Sequence, residues 1–264
     1  MKCILLGTGC ASVKDCFNTC FCIEEDGKYF LCDTGGGNGL YTQLKKANID
    51  LKDIRHIFIT HRHLDHITGM LWILRSVVYP SRYEGVLHVY ANEEVIAILK
   101  ENLKLLFTPI EANRAIDRIQ FDVVHDGDRR IILGHRFTFF DIGSVYVYQY
   151  GFSMEISEGK KLVCLGDEPY HECEESYVKD ADWLFHEAFC RYADCEVFRP
   201  YNKGHSTVKD ACELAERMRV KNLVLYHTEE THLRERKTLY TEEGQQYYSG
   251  NLYVPDDLDT LKIR

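Results

Sequence analysis

Three histidines and one aspartate fall within six residues, His61-Arg62-His63-Leu64-Asp65-His66, directly behind the apolar run Ile57-Phe58-Ile59-Thr60. An apolar strand that ends in such a cluster must stop at a sheet edge, where the chain turns sharply enough to aim alternate side chains at one point. Imidazole nitrogens and a carboxylate are the donors that suit Zn²⁺ or a similar divalent cation. A merely charged surface turn has no need of so many histidines, so the cluster predicts a metal site at a strand-to-helix junction.

The rest of the chain alternates strand and helix signals. Residues 2–6 read as a strand ended by Gly7-Thr8-Gly9, and Thr19–Glu24 and Tyr29–Cys32 flank Glu25-Asp26-Gly27 as a hairpin. After Asp33-Thr34-Gly35-Gly36-Gly37, the spacing of Leu40, Leu44 and Ala47 predicts a helix, and His56–Thr60 the strand that meets the histidine cluster. Val86–Tyr90 reads as a strand and Asn92–Leu106 as a helix with Asn92 as its N-cap. From Ile119 to Ile156, short apolar alternations broken at Asp126-Gly127-Asp128 and Gly134 predict a meander of antiparallel strands. Lys161–Leu165 and Trp183–Phe185 are further strands, and the helix Thr207–Met218 precedes the strand Asn222–Tyr226. This order gives an α/β class. With no repeat, Pro-rich linker or low-complexity tract, residues 1–264 read as one layered domain.

Composition narrows the function. With 32 Lys+Arg against 41 Asp+Glu the formal charge is −9, which disfavours a protein that coats nucleic acid, because that requires a basic face. No run of eighteen uncharged apolar residues exists, and the N-terminus is too short and Gly-rich for a signal peptide, so the expectation is a soluble cytoplasmic protein. The eleven cysteines are an odd number, six of them before residue 33, and form no CxxC pair. They read as small buried hydrophobes in a reducing compartment rather than as a metal or iron–sulfur cluster. The acidic run Glu172–Glu175 reads as a solvated helix face, and the tyrosines clustered at 146–150 and 247–253 as sheet-face or core residues.

Three further segments carry candidate chemistry. Leu162–Leu165 is an apolar strand ending in Gly166-Asp167, and such a carboxylate can bridge two metals with one oxygen on each. Gly204-His205-Ser206-Thr207 precedes a helix, and His227 closes the strand that ends at Tyr226. Each alone is as ordinary as a turn residue. Their order, a histidine-rich junction, then a strand-ending Asp, then a strand-ending His, is a recurring pattern of binuclear hydrolases.

Taken with Leu6-Gly7-Thr8-Gly9, Asp33-Thr34-Gly35-Gly36-Gly37 and His186-Glu187-Ala188, these motifs resemble the metallo-β-lactamase superfamily, and within it the ribonuclease Z-like phosphodiesterases. The resemblance spans nearly the whole chain and implies an αββα sandwich, two mixed β-sheets with helices outside. It implies that His61 and His63 bind a first metal, Asp65 and His66 a second, that Asp167 bridges them and that His227 completes the second site. Zn is the implied ion, one or two per chain, with Mn or Fe as other occupants. Two cations about 3.5 to 4 Å apart bring a shared water towards neutral pKa, so that hydroxide is available for attack. Asp65 would accept that water's proton, and His205 would touch the scissile phosphate and protonate the leaving oxygen, with Glu187 orienting it.

Two departures from the pattern matter. The resemblance calls for a third histidine on the first metal, midway between the junction and Asp167, yet Phe140–Phe152 contains none, and His125 and His135 read as surface residues. The first site is therefore expected to be weaker than the second, or completed by solvent or a tyrosine hydroxyl. The long tRNA-gripping arm of bacterial ribonuclease Z is also missing, since only Ser157-Glu158-Gly159-Lys160 separates two strands there. A small molecule, such as a cyclic or nucleotide-like phosphodiester, fits better than structured tRNA. A hydrolase of thioesters, lactones or lactams and a non-catalytic metal-binding protein are the alternatives. Dimers are common in this superfamily, so a homodimer is compatible.

Overall fold

The computed structural model describes residues 1–263. In chain order the strands are β1 (Lys2–Gly7), β2 (Cys20–Glu25), β3 (Lys28–Cys32), β4 (Ile54–Phe58), β5 (Leu87–Ala91), β6 (Ile119–Val123), β7 (Arg129–Ile132), β8 (His135–Asp141), β9 (Tyr150–Ser157), β10 (Lys160–Cys164), β11 (Trp183–Glu187), β12 (Asn222–Tyr226), β13 (Asn251–Tyr253) and β14 (Thr260–Lys262). The helices are α1 (Gly39–Lys46), α2 (Leu64–Val77), α3 (Glu93–Leu106), α4 (Pro109–Ile116), α5 (Glu175–Val178), α6 (Cys195–Phe198), α7 (Val208–Arg217) and α8 (Arg236–Gly244).

The strands form two seven-stranded sheets, ordered β14-β1-β2-β3-β4-β5-β6 and β13-β12-β11-β10-β9-β8-β7. Each is half antiparallel and half parallel. In the first sheet β14, β1, β2 and β3 pair antiparallel, and β3 to β6 pair parallel. In the second, β7 to β10 pair antiparallel and β10 to β13 pair parallel. The parallel halves need long crossovers, and these are the helices on the outer faces.

Side-chain alternation sorts the core into three layers. Phe21, Phe30 and Phe58 point inward from the first sheet to meet Phe185, Phe137 and Phe139 from the second, with ring centroids 5.0, 4.7 and 5.0 Å apart. The alternate residues Cys20, Cys22, Leu31, Ile57 and Ile59 face outward onto α1, α2 and α3 through Leu44, Met70, Ile73 and Leu99. On the other side Val163, Leu184, Leu223 and Leu225 meet Ala211 and Ala215 of α7 and Tyr240 of α8. Strands buried on both faces read as continuous apolar runs, which is the pattern seen in the sequence. Eight of the eleven cysteines are buried and all are free. Among the described residues no helix is long and apolar enough to cross a membrane.

The expected αββα sandwich is therefore present, with local differences. The meander read across Ile119–Ile156 is split: β6 pairs parallel with β5 in the first sheet, and only β7 onward belongs to the second. Residues 144–149 are loop, not strand. Ser144 Oγ accepts from the amides of Tyr146 and Val147 at 3.1 Å each, which turns the chain out of the sheet. Tyr146 there is exposed rather than a sheet-face residue, whereas Tyr150 and Tyr248 are buried. Glu174 of the acidic run is not solvated: it is buried and accepts from the His171 amide at 2.7 Å. The helices α4 and α8 and the edge strands β13 and β14 had no counterpart in the sequence reading.

Candidate metal centre

β4 delivers the histidine cluster to the sheet edge, and α2 starts one residue after His63, which is its N-cap with extended backbone. His61 lies in the intervening loop, and Asp65 and His66 lie in the first helical turn. The turn is held by Asp33, at the end of β3. Asp33 Oδ1 accepts from the Thr60 amide at 2.8 Å, and its Oδ2 accepts from Thr60 Oγ1 at 2.9 Å and from His66 Nδ1 at 2.7 Å. The Thr34 amide and hydroxyl both donate to the His66 carbonyl, at 2.8 and 2.7 Å. Gly69 permits this approach, since a Cβ there would lie 2.0 Å from the Thr34 carbonyl oxygen.

These bonds fix the tautomers. Asp33 can only accept, so His66 carries its proton on Nδ1 and turns Nε2 into the site. Thr60 gives its one hydroxyl proton to Asp33, so its lone pairs accept from His61 Nδ1 at 3.0 Å, and His61 Nε2 likewise faces inward. His63 Nδ1 lies 2.8 Å from that atom.

Two strand ends of the second sheet complete the cluster. After β10, Gly166 (φ 80°) turns the chain so that Asp167 faces the junction, and after β12 His227 takes left-handed backbone at φ 57°. Asp33 is left-handed as well, at φ 56°. Non-glycine residues in this region are strained and persist where the surroundings over-determine them. Asp167 Oδ2 lies 3.6 Å from His61 Nε2, 3.3 Å from His66 Nε2 and 3.4 Å from His227 Nε2. Asp65 Oδ2 lies 3.3 Å from His66 Nε2 and 3.4 Å from His227 Nε2. All of these except His63 are buried.

Burial alone would raise the Asp167 and Asp65 carboxyls. The histidines beside them outweigh it and hold both well below the usual carboxylate range. Burial opposes a charged His66 too, but Asp33, Asp65 and Asp167 around it push the imidazole well above its ordinary value. His61, with less compensation, is pushed well down by burial. The His66 Nε2 atom is buried and has no hydrogen-bond partner. A set of buried nitrogens and carboxylate oxygens converging on one another fits a divalent cation, which would satisfy that atom and both acids at once.

The expected site residues are thus brought together: His61, His66 and Asp167 form one triad, and Asp65, His66 and His227 a second. His63 joins through His61. His205 lies beside them, before α7, with its ring stacked on Phe189 at 5.1 Å and 5.1 Å from His227. His205 Nδ1 donates to the Asp167 carbonyl at 2.9 Å, and Glu187 is a more distant neighbour at 3.8 Å. Glu187 itself accepts from the Ser206 and Phe189 amides and so fixes the loop that carries His205. The orientation expected from Glu187 is therefore mainly supplied by the Asp167 backbone and Phe189.

In the segment that lacks a histidine, the Tyr148 and Tyr150 hydroxyls bond to each other at 2.9 Å, whereas Tyr146 lines the pocket above the cluster. Asp33, which stands in a sequence motif to which no role was attached, positions this cluster through Thr60 and His66. A pocket of about 360 Å³ opens above the cluster, lined by His63, Asp65, His205 and His227 with Tyr146, Glu168 and Lys203 across from them.

With this geometry in place, comparison with known proteins is informative. The chain is 23% identical to ribonuclease Z of Nitrosopumilus maritimus (strain SCM1), covering 91% of this chain and 95% of that one. It superposes on human tRNase Z, short form, with a TM-score of 0.75, 21% identity and full coverage of both chains. On Zn(2+)-bound PqqB from Methylobacterium extorquens the TM-score is 0.77 at 13% identity, again over the whole of both. The two facing sheets are those of the metallo-β-lactamase fold. Within it the family model described as "Anti-Pycsar protein Apyc1" matches residues 1–247, and the chain belongs to that family.

Proposed function

We propose that the protein is a metal-dependent phosphodiesterase acting on a small phosphodiester, cyclic or nucleotide-like, with residues 1–264 working as one hydrolase domain. The observation that carries this reading is the convergence of His61, His66, Asp65, Asp167 and His227 within 3.3 to 3.6 Å contacts, with Asp65, Asp167 and His227 lining one pocket. His61, His63 and Asp167 would hold a first cation, and Asp65, His66, His227 and Asp167 a second. Zn²⁺, Mn²⁺ or Fe bound there would supply an acidified water and a Lewis acid for the phosphoryl oxygens.

The chain's own groups do the remainder. Asp65 lines the pocket with its Oδ2 3.3 and 3.4 Å from His66 and His227, where it would accept the proton of an attacking water. His205 commits Nδ1 to the Asp167 carbonyl, which leaves Nε2 for the leaving oxygen. Burial and then His227 push His205 down to about 4, so it is neutral in the empty pocket at pH 7. An entering phosphate anion favours its protonated form, so His205 would take up a proton from solvent as the substrate binds. Lys203, at the pocket wall, adds attraction for the anion.

The hairpin between β9 and β10 turns at Glu158-Gly159, with Gly159 at φ 71°. It leaves no arm for tRNA, and the −9 charge argues the same way. A pocket of about 360 Å³ suits a small ligand. The test is a steady-state comparison, on protein of known metal content, of bis-p-nitrophenyl phosphate and cyclic nucleotides against an acyl thioester. Higher kcat/KM on the phosphodiesters is expected, and preference for the thioester would overturn the proposal.

A further inference from the structure

The segment that lacks the expected histidine nevertheless enters the site. The Tyr150 amide donates to the Thr60 carbonyl at 3.1 Å, which ties this segment to the loop carrying His61. The preceding residue, Gln149, is fully buried. Its Nε2 donates to Asp167 Oδ1 at 2.7 Å, and its Oε1 is buried with no partner at all. Space for this carboxamide depends on Gly166, where a Cβ would lie 2.1 Å from Gln149 Nε2. Burying a long polar side chain costs rotamer entropy, and leaving its carbonyl unpaired adds a desolvation cost. A fold that retains such a group against Asp167, the carboxylate that three imidazoles surround, has a use for the oxygen.

We propose that Gln149 completes the first cation site in the place of the absent histidine. Its N–H ties down Oδ1 of Asp167, so Oδ2 alone faces His61, His66 and His227. Its carbonyl oxygen is the protein donor that joins His61 and His63 there. Exchanging an imidazole nitrogen for a carbonyl oxygen makes the donor set harder, which shifts the first site toward Mn²⁺ relative to an all-histidine site. This inference rests on the metal-dependent reading above, but its test does not read activity.

Metal-free protein is titrated with Zn²⁺ and with Mn²⁺ by calorimetry and chelator competition, for the native chain, Gln149→Ala and Gln149→His. The native chain is expected to show two binding steps. Gln149→Ala should weaken the weaker step about 10- to 100-fold, as loss of a supporting group does, and leave the tighter step in place. Gln149→His should strengthen the weaker step for Zn²⁺ more than for Mn²⁺. If Gln149→Ala does not fold, as read by circular dichroism, Gln149→His carries the test alone. Unchanged binding in every folded variant would overturn the role of Gln149 while leaving the metal-dependent reading intact. A native chain that binds neither ion would overturn both. Normal two-step binding without phosphodiester hydrolysis would overturn the proposed function and leave Gln149 in place.

Discussion

Asp33 Oδ2 accepts from His66 Nδ1 at 2.7 Å, and this bond decides which face of the imidazole meets Asp65 and Asp167. Two residues far apart in the chain thereby act as one unit, a carboxylate that fixes the tautomer of a histidine facing the cluster. Asp33→Asn keeps the shape but offers a weaker acceptor in one of two orientations. It is expected to reduce affinity for the second cation about 10- to 100-fold, read by chelator competition, with the far-UV spectrum unchanged. Unaltered affinity would show that the bond does not tune the site.

His205, which is not an expected ligand, has a different signature because it meets the expected ligands through the Asp167 carbonyl and a ring contact with His227. His205→Ala is expected to lower kcat by about 10²- to 10⁴-fold at unchanged metal content. The loss should shrink for substrates whose leaving group is p-nitrophenolate, which needs no proton. An equal loss on good and poor leaving groups would remove His205 from the role of acid.

Away from the site, His56 gives a pH dependence of stability. Burial and then neighbouring His88 push it down to about 4, against about 6.5 in an unfolded chain. Protonation therefore favours the unfolded state. The contribution of neutral His56 is fully present above about pH 6.5 and is lost as pH falls toward 4. Its ring stacks on His88 at 5.2 Å and Tyr90 at 6.0 Å. His56→Phe keeps the stacking without the titration, so the drop in urea midpoint from neutral to mildly acidic pH should be smaller than in the native chain. Equal drops in both proteins would contradict the assignment.

The contact between the sheets supplies a stability prediction. Phe58 meets Phe139 at 5.0 Å and Phe152 at 5.8 Å, and is fully buried. Phe58→Ala is expected to cost about 3 to 5 kcal/mol in urea unfolding. A cost below about 1 kcal/mol, the scale of an exposed substitution, would mean the sheets do not depend on this layer.

The sequence made the centre legible where ligands are contiguous and element ends are sharp. His61 to His66 stand together behind a strand, and Asp167 and His227 each follow an apolar run, so their convergence could be anticipated. Asp33 was visible only as a motif, because its role exists in bonds to Thr60 and His66 that sequence spacing does not display. Gln149 carried no signal, since a lone glutamine in a tyrosine-rich stretch has no periodicity or charge to mark it. The same limit applies to the fold. Alternation identifies β6 and β7 as strands but does not say which sheet each joins, and three-residue strands such as β13 and β14 are too short for a period. Glu174 was misread because an acidic run looks solvated until the His171 amide claims its carboxylate.

The central claim, that these separated side chains converge on divalent cations, is tested most directly by counting metal in native and Asp167→Ala protein. Both are loaded with Zn²⁺, passed through gel filtration and submitted to elemental analysis. Asp167 Oδ2 lies within 3.6 Å of three histidines, so the native chain is predicted to retain stoichiometric Zn and the folded variant to lose most of it. Equal retention in the two proteins would contradict the account.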